Sequence, residues 1–159
     1  MDSKYNALVC RAMINSYREL ENKCKQADKA IYNTAVRSAF KNTMEAYKEI
    51  ERLTREKIAY INTKVIVDQA LATLKRGYEL EQNIIKGVKI EQLAIALNVN
   101  EQAIKARIRY QKEKLCEAIL NIYSGKELID IICDSEWLMN RYKREIKKTE
   151  NGAIRVNNG

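Results

Sequence analysis

The chain contains no proline and no histidine, and its first glycine is Gly77. Sheets need many tight turns, which draw on Gly, Pro and Asn-Gly pairs, so a chain with five glycines and no proline is poorly equipped for β-structure. Abundant Lys, Glu, Ala, Leu and Ile point to helix instead. The lack of histidine removes the commonest general base and the commonest metal ligand. Cys10, Cys24, Cys116 and Cys133 include no C-x-x-C pair, so zinc ligation finds no support and reduced thiols are expected. No apolar run approaches the ~20 residues of a membrane span, and Met1–Tyr5 runs directly into an amphipathic pattern without a leader-like segment. With no phosphate loop and carboxylates scattered along helix exteriors, no catalytic site assembles, so an enzyme is not expected. No cofactor is expected, and no membrane partner. The cytoplasm of a bacterial cell, associated with the nucleoid, is the expected location.

What is present is length enough for one domain or two small helical ones, 159 residues of which 46% are hydrophobic. The 29 Lys and Arg exceed the 21 Asp and Glu, leaving a net charge of +8. Such an excess suits a polyanion, because each neutralised phosphate releases counterions.

The fold expected is all-α. Met13, Tyr17, Leu20, Cys24, Ala27 and Ile31 follow a 4-3-4-3-4 spacing on a first helix over 3–31. Two heptads are short for a coiled coil, so an intramolecular partner is favoured, with a homodimer as the alternative. A break near 28–34, with Asn33 as cap, leads to a second helix reaching about Tyr60, with Phe40, Met44, Tyr47, Ile50, Ile58 and Ile61 on one side. Asn62-Thr63 reads as another cap. Short helices follow over 64–76, 78–86 and 90–97, with Val65, Ala70, Leu71 and Leu74 on the apolar face of the first and stops at Gly77 and Gly87. A longer helix spans about 101–123 and a last one 127–148. The expected organisation is a helical arm over 1–61, a helix-turn-helix module over 62–123, a C-terminal helix over 124–150 and a disordered tail over 151–159.

Residues 90–109 carry the functional signal. A helix-turn-helix needs a small residue where its helices cross, and Ala94 stands there. Its turn needs a residue that tolerates a left-handed backbone, which Asn98 does. Val99 plugs the turn and Asn100 caps the second helix. Ile104, Ile108 and Leu115 share one sector of that helix, while Gln102, Lys105, Arg107, Arg109 and Lys112 occupy the others. A helix of this kind fits the major groove, where Gln reads adenine and Arg or Lys reads guanine, with the remaining cations on phosphates. Arg109 and Gln102 are expected at base edges, and Lys105, Arg107 and Lys112 at phosphates.

Val67–Leu74, a short helix, Gly87 and the segment above together resemble region 4 of bacterial sigma factors. Ala103–Leu115, with its β-branched–Lys–small–Arg–aliphatic run ending in Glu113-Lys114-Leu115, is similar to the extracytoplasmic-function type. The same module occurs in phage sigma-like regulators, including late-gene activators of the ArpU type. The resemblance covers about residues 65–118. It implies a four-helix arrangement, double-stranded promoter-type DNA as ligand and RNA polymerase as a partner. The DNA-contacting set expected is Asn100, Gln102, Lys105, Ala106, Arg107, Arg109 and Lys112. The sequence departs from the family at Asn98, where Gly is usual, and at Lys75, where Pro is frequent. Residues 1–60 hold no aromatic-rich basic helix of the kind that melts promoters. The expectation is therefore a phage-type transcriptional regulator rather than a complete sigma factor.

Two other readings stand beside it: a small terminase-like subunit of phage assembly, whose DNA-binding module commonly comes first, and a helical protein-interaction module. Trp137 and the basic run Arg141, Lys143, Arg144, Lys147 and Lys148 read either as an added phosphate-contacting arm or, preferably, as a core Trp beside a solvated helix end.

Overall fold

A computed structural model describes residues 3–40 and 42–158, with side chains described for 3–39 and 42–152. Among these residues there are seven α-helices and no strand. They are α1 (Ser3–Arg37), α2 (Thr43–Thr73), α3 (Tyr78–Leu80), α4 (Ile90–Leu97), α5 (Glu101–Ile122), α6 (Gly125–Ile132) and α7 (Glu136–Asn158). A 3-10 turn, Ser38–Phe40, joins α1 to α2, and a π-helical turn, Glu81–Ile85, continues α3.

Helices α1 and α2 form a long antiparallel hairpin. Tyr17 donates to Asp68, and Asp28 pairs with Lys57, so eleven residues forward on α1 is matched by eleven backward on α2. Helix α7 also runs antiparallel to α1. Asn15 donates to Glu145 at 3.2 Å, Glu19 pairs with Arg141, and Lys23 lies over the Trp137 ring at 4.9 Å. The N-terminal half of α1 is therefore the central element, with Val9, Met13, Ile14 and Leu20 fully buried among residues of α2, α5, α6 and α7. The heptad seam expected on α1 is thus used inside the chain. Met13, Leu20 and Ala27 are buried, and Tyr17 and Cys24 are partly so. The intramolecular partner favoured for that seam is the arrangement found, which leaves its buried residues no surface to offer a second copy.

Helix boundaries differ from the sequence reading. Helix α1 passes through 28–34 without a break. The cap of α2 is Asn42, whose side chain accepts from the Met44 N–H at 2.9 Å, and not Asn33. Asn62-Thr63 does not start a helix. Thr63 is buried inside α2 and its hydroxyl donates to the Ala59 carbonyl at 2.8 Å, a back-bond that satisfies a threonine within a helix. The boundary expected at 61/62 therefore falls within one continuous helix, and residues 64–73 are its last turns. The C-terminal region is two helices instead of one. Buried Ser135 ends the break at 133–135 by accepting from the Leu138 N–H at 3.2 Å. Helix α7 extends to Asn158 where a disordered tail is expected, and the side chains of 153–159 lie outside the described residues.

The second face of α2 is also a correction. Ala46, Leu53, Tyr60, Ile66, Val67 and Ala70 are buried, whereas Met44, Tyr47, Ile58, Ile61 and Val65 are exposed. The side chain of Phe40 lies outside the described residues. At 100° per residue the exposed set forms a stripe opposite the buried one. Between Ala27 and Ala46 no described residue is buried, so the hairpin tip carries no core of its own.

Trp137 is half-buried. It meets Tyr60 edge-on with centroids 6.1 Å apart, and Arg141 lies over its ring at 4.7 Å. It is a packing residue, as preferred from the sequence.

Candidate nucleic-acid interface

The turn between α4 and α5 is built from three residues of distinct roles. Asn98 adopts φ 54° and ψ 46°, the left-handed region. Its N–H donates to the Ile95 carbonyl at 3.3 Å, and the Val99 N–H donates to the Ala94 carbonyl at 3.1 Å. This is the paired closure of a Schellman motif, with Val99 supplying the partly buried apolar contact. Asn100 is extended, and its side chain accepts from the Ala103 N–H at 2.8 Å, starting α5 at Glu101. Ala94 is buried where α4 meets α5, alongside Ile104 and Ile108.

Helix α5 buries Ile104, Ile108, Gln111, Leu115, Cys116 and Ile119. The opposite line carries Gln102, Ala106 and Arg109, all exposed. Lys105 and Arg109 make no hydrogen bond or ion pair among the described residues, nor does Gln102. Asn100 serves the backbone as a cap. Lys112 is not on the outward line. It sits half-buried on the flank facing α1 and α7, where burial works to lower its ammonium below the usual lysine value, opposed by Glu145 and reinforced by Arg11. Arg107 lies on the other flank, and its guanidinium donates to Glu79 at 3.2 Å.

Sequence reasoning missed what holds that second flank. Buried Gln111 accepts from the Leu80 N–H at 2.8 Å and donates to Glu79 at 2.6 Å, clamping α3 onto α5. Burial works to raise the Glu79 carboxyl, but hydrogen bonds from Gln111, its own backbone N–H and Arg107 outweigh it and hold the group below the usual carboxylate value. The available signal was a polar residue, Gln111, inside the apolar sector between Ile108 and Leu115.

The two flanks differ in partners and share a sign. On one, Arg11 of α1 and Lys148 of α7 join Lys105, Arg109 and Lys112 around a cleft of about 390 Å³. On the other, Lys75 and Arg76 join Arg107 around an open groove. The exposed line of α5 therefore runs between two cationic borders. Among the described residues no group of three or more His, Cys, Asp or Glu is placed to hold a metal, and no helix is long and apolar enough to cross a membrane. The thiols of Cys10 and Cys116 meet in the core, where the Cys116 hydrogen bond and burial push Cys10 far above the usual thiol value. Cys133 is exposed.

The chain matches no family model, no curated protein and no solved structure.

Proposed function

We propose that the protein is a double-stranded-DNA-binding transcriptional regulator that lays α5 in the major groove. The observation that carries this reading is the α4–turn–α5 geometry. A left-handed Asn98 and a capping Asn100 present an outward line of Gln102, Ala106 and Arg109 between two cationic flanks. A major groove is bordered by two phosphate strands, so a helix with polar, unpaired side chains on its crest and cations on both shoulders has the matching charge pattern. Small Ala106 lets the helix approach the base edges closely. Arg109 and Gln102 take the base-reading roles, Lys105 a phosphate, and Arg107 reaches a phosphate by leaving or sharing Glu79.

Fluorescence anisotropy of the full chain on labelled duplexes tests this. Affinity should fall steeply with salt, with a slope set by about 4–6 phosphates. Arg109→Ala should relax preference at one base pair at a cost of roughly 1–3 kcal/mol. A flat salt response refutes the reading. The sigma-like resemblance adds promoter DNA and RNA polymerase as the expected context.

One helix of this kind gains specificity by pairing two half-sites. With the α1 seam buried, the surface suited to pairing copies is the α2 stripe Met44, Tyr47, Ile58, Ile61 and Val65. These residues recur at 3- and 4-residue spacings that include Glu51 and Thr54, a heptad-like seam. Ile58→Asp should reduce a dimer to a monomer in light scattering without lowering the melting temperature. A wild-type monomer at micromolar concentration refutes the pairing.

A further inference from the structure

The cleft on the α1 side of α5 gathers cations from three helices far apart in the sequence. Arg11 comes from α1, Lys105, Arg109 and Lys112 from α5, and Lys148 from α7. Two carboxylates share the cleft. Glu145 is already engaged, accepting from Asn15 at 3.2 Å and pairing with Lys148 at 3.7 Å. Glu113 is exposed on the rim. Five cations thus face two carboxylates, and Arg11, Lys105 and Arg109 have no ion-pair partner among the described residues. Lys112 is half-buried, with Glu145 favouring its charged form and the like charges of Arg11 and Lys148 opposing it, so a further anion in the cleft would favour the charged form.

We infer that this cleft binds a DNA phosphate, on the strand bordering the groove that α5 enters, so that Arg11 and Lys148 are DNA contacts. The inference rests on the proposed DNA-binding function and extends it. The footprint then includes the first turns of α1 and the middle of α7, neither of which belongs to the helix-turn-helix. Arg11 and Lys148 would report no base identity, because they approach only the backbone. The anchoring also orients α5, since one phosphate held between α1, α5 and α7 fixes the angle at which the helix enters the groove.

The test compares the full-length wild type with Arg11→Gln, Lys148→Gln and the double variant, using anisotropy on specific and scrambled duplexes from 50 to 300 mM salt. Each single change should lower the salt slope by about one and weaken binding roughly five-fold near 150 mM salt, on both sequences alike. The double variant should lose about two from the slope. Lys25→Gln on the distal part of α1, far from the cleft, should change nothing. Melting curves confirm that each variant is folded. A steep wild-type slope left unchanged by both cleft variants overturns this inference and leaves DNA binding intact. A flat wild-type slope overturns both. A calorimetric titration with inorganic pyrophosphate supplies the remaining arm. Binding of pyrophosphate that needs Arg11, with an unchanged DNA slope, assigns the cleft to a free phosphate compound and overturns the backbone assignment.

Discussion

Asn98 is the position where the geometry of the candidate interface is most exposed to test. Its φ of 54° places a residue with a Cβ in the left-handed region. For an ordinary L-residue that conformation costs roughly 1–2 kcal/mol, which Gly escapes and Asn partly recovers. Asn98→Ala should therefore destabilise the protein by about 1 kcal/mol and Asn98→Val by about 2 kcal/mol, since branching at Cβ worsens the clash. Asn98→Gly should lie within ~0.5 kcal/mol of wild type, because ease of φ and added chain entropy oppose one another. In a chain of this size ~1 kcal/mol shifts the melting temperature by 2–4 °C. Denaturant unfolding followed by far-UV circular dichroism measures the series. Asn98→Gly costing as much as Asn98→Val would refute the left-handed turn. DNA binding supplies a second readout. A loss of 1–2 kcal/mol leaves a protein of ordinary stability almost wholly folded, so affinity should change less than two-fold if the direction of α5 is preserved.

Two further outcomes follow from close contacts. A Cβ at Gly125 would lie 1.9 Å from Asn6 Oδ1, itself buried without a hydrogen-bond partner. Gly125→Ala should cost ~1–3 kcal/mol by overpacking, Asn6→Ala alone should be neutral or stabilising, and the pair should recover most of the loss. Additivity in the double-mutant cycle would show the two positions do not meet. Glu79, held below its ordinary value by Gln111, its backbone N–H and Arg107, contributes stability that is present above the unfolded-state value near 4.5 and is lost as pH falls through the lower folded value. Glu79→Gln should flatten the acid limb of a stability-versus-pH curve below pH 4.5. An unchanged limb would remove Glu79 from the acid response.

What was legible in the sequence divides along physical lines. The α4–α5 turn was readable because each requirement is local: Asn98 for its φ, Asn100 for the cap and Val99 for the plug act within a few residues. Ser124 acts by the same local logic at the start of α6, where it accepts from the Glu127 N–H at 3.1 Å. Cap-forming residues misled where the third dimension decides. Asn33 and Thr63 are both capable caps, yet α1 and α2 bury long continuous faces against each other, and that burial outweighs two local preferences. Periodicity identified apolar rows on α2 without saying which row is inward. Ala46 and Leu53 are the buried choice, and Met44 and Tyr47 are not. The cleft around Arg11 was beyond sequence reasoning altogether, because its cations lie as much as 137 positions apart and meet only when α7 returns along α1.

That return path bears on whether the DNA-binding segment is separable. A fragment of residues 63–123 contains every local element of the turn, and a module that folds independently is the natural expectation from the sequence. In the structure the cut at 62 falls inside α2, between the buried Tyr60 and Thr63. It also removes Val9, Met13 and Ile14 of α1, which belong to the same core as Leu115 and Ile119 of α5. Stripping large apolar side chains of their cover costs about 1.5–3 kcal/mol each. Losing three at once costs about 5–9 kcal/mol, comparable with the 5–15 kcal/mol by which a typical domain is stable. The fragment should be largely unfolded, with low helicity by circular dichroism and poor dispersion in an amide correlation spectrum. Residues 3–152, which keep α1 and α7 as far as Gly152, should melt cooperatively and bind duplex DNA. A well-dispersed, cooperatively melting 63–123 fragment would refute this reasoning. It would mean that α1 and α7 stabilise the module less than their shared burial with α5 requires.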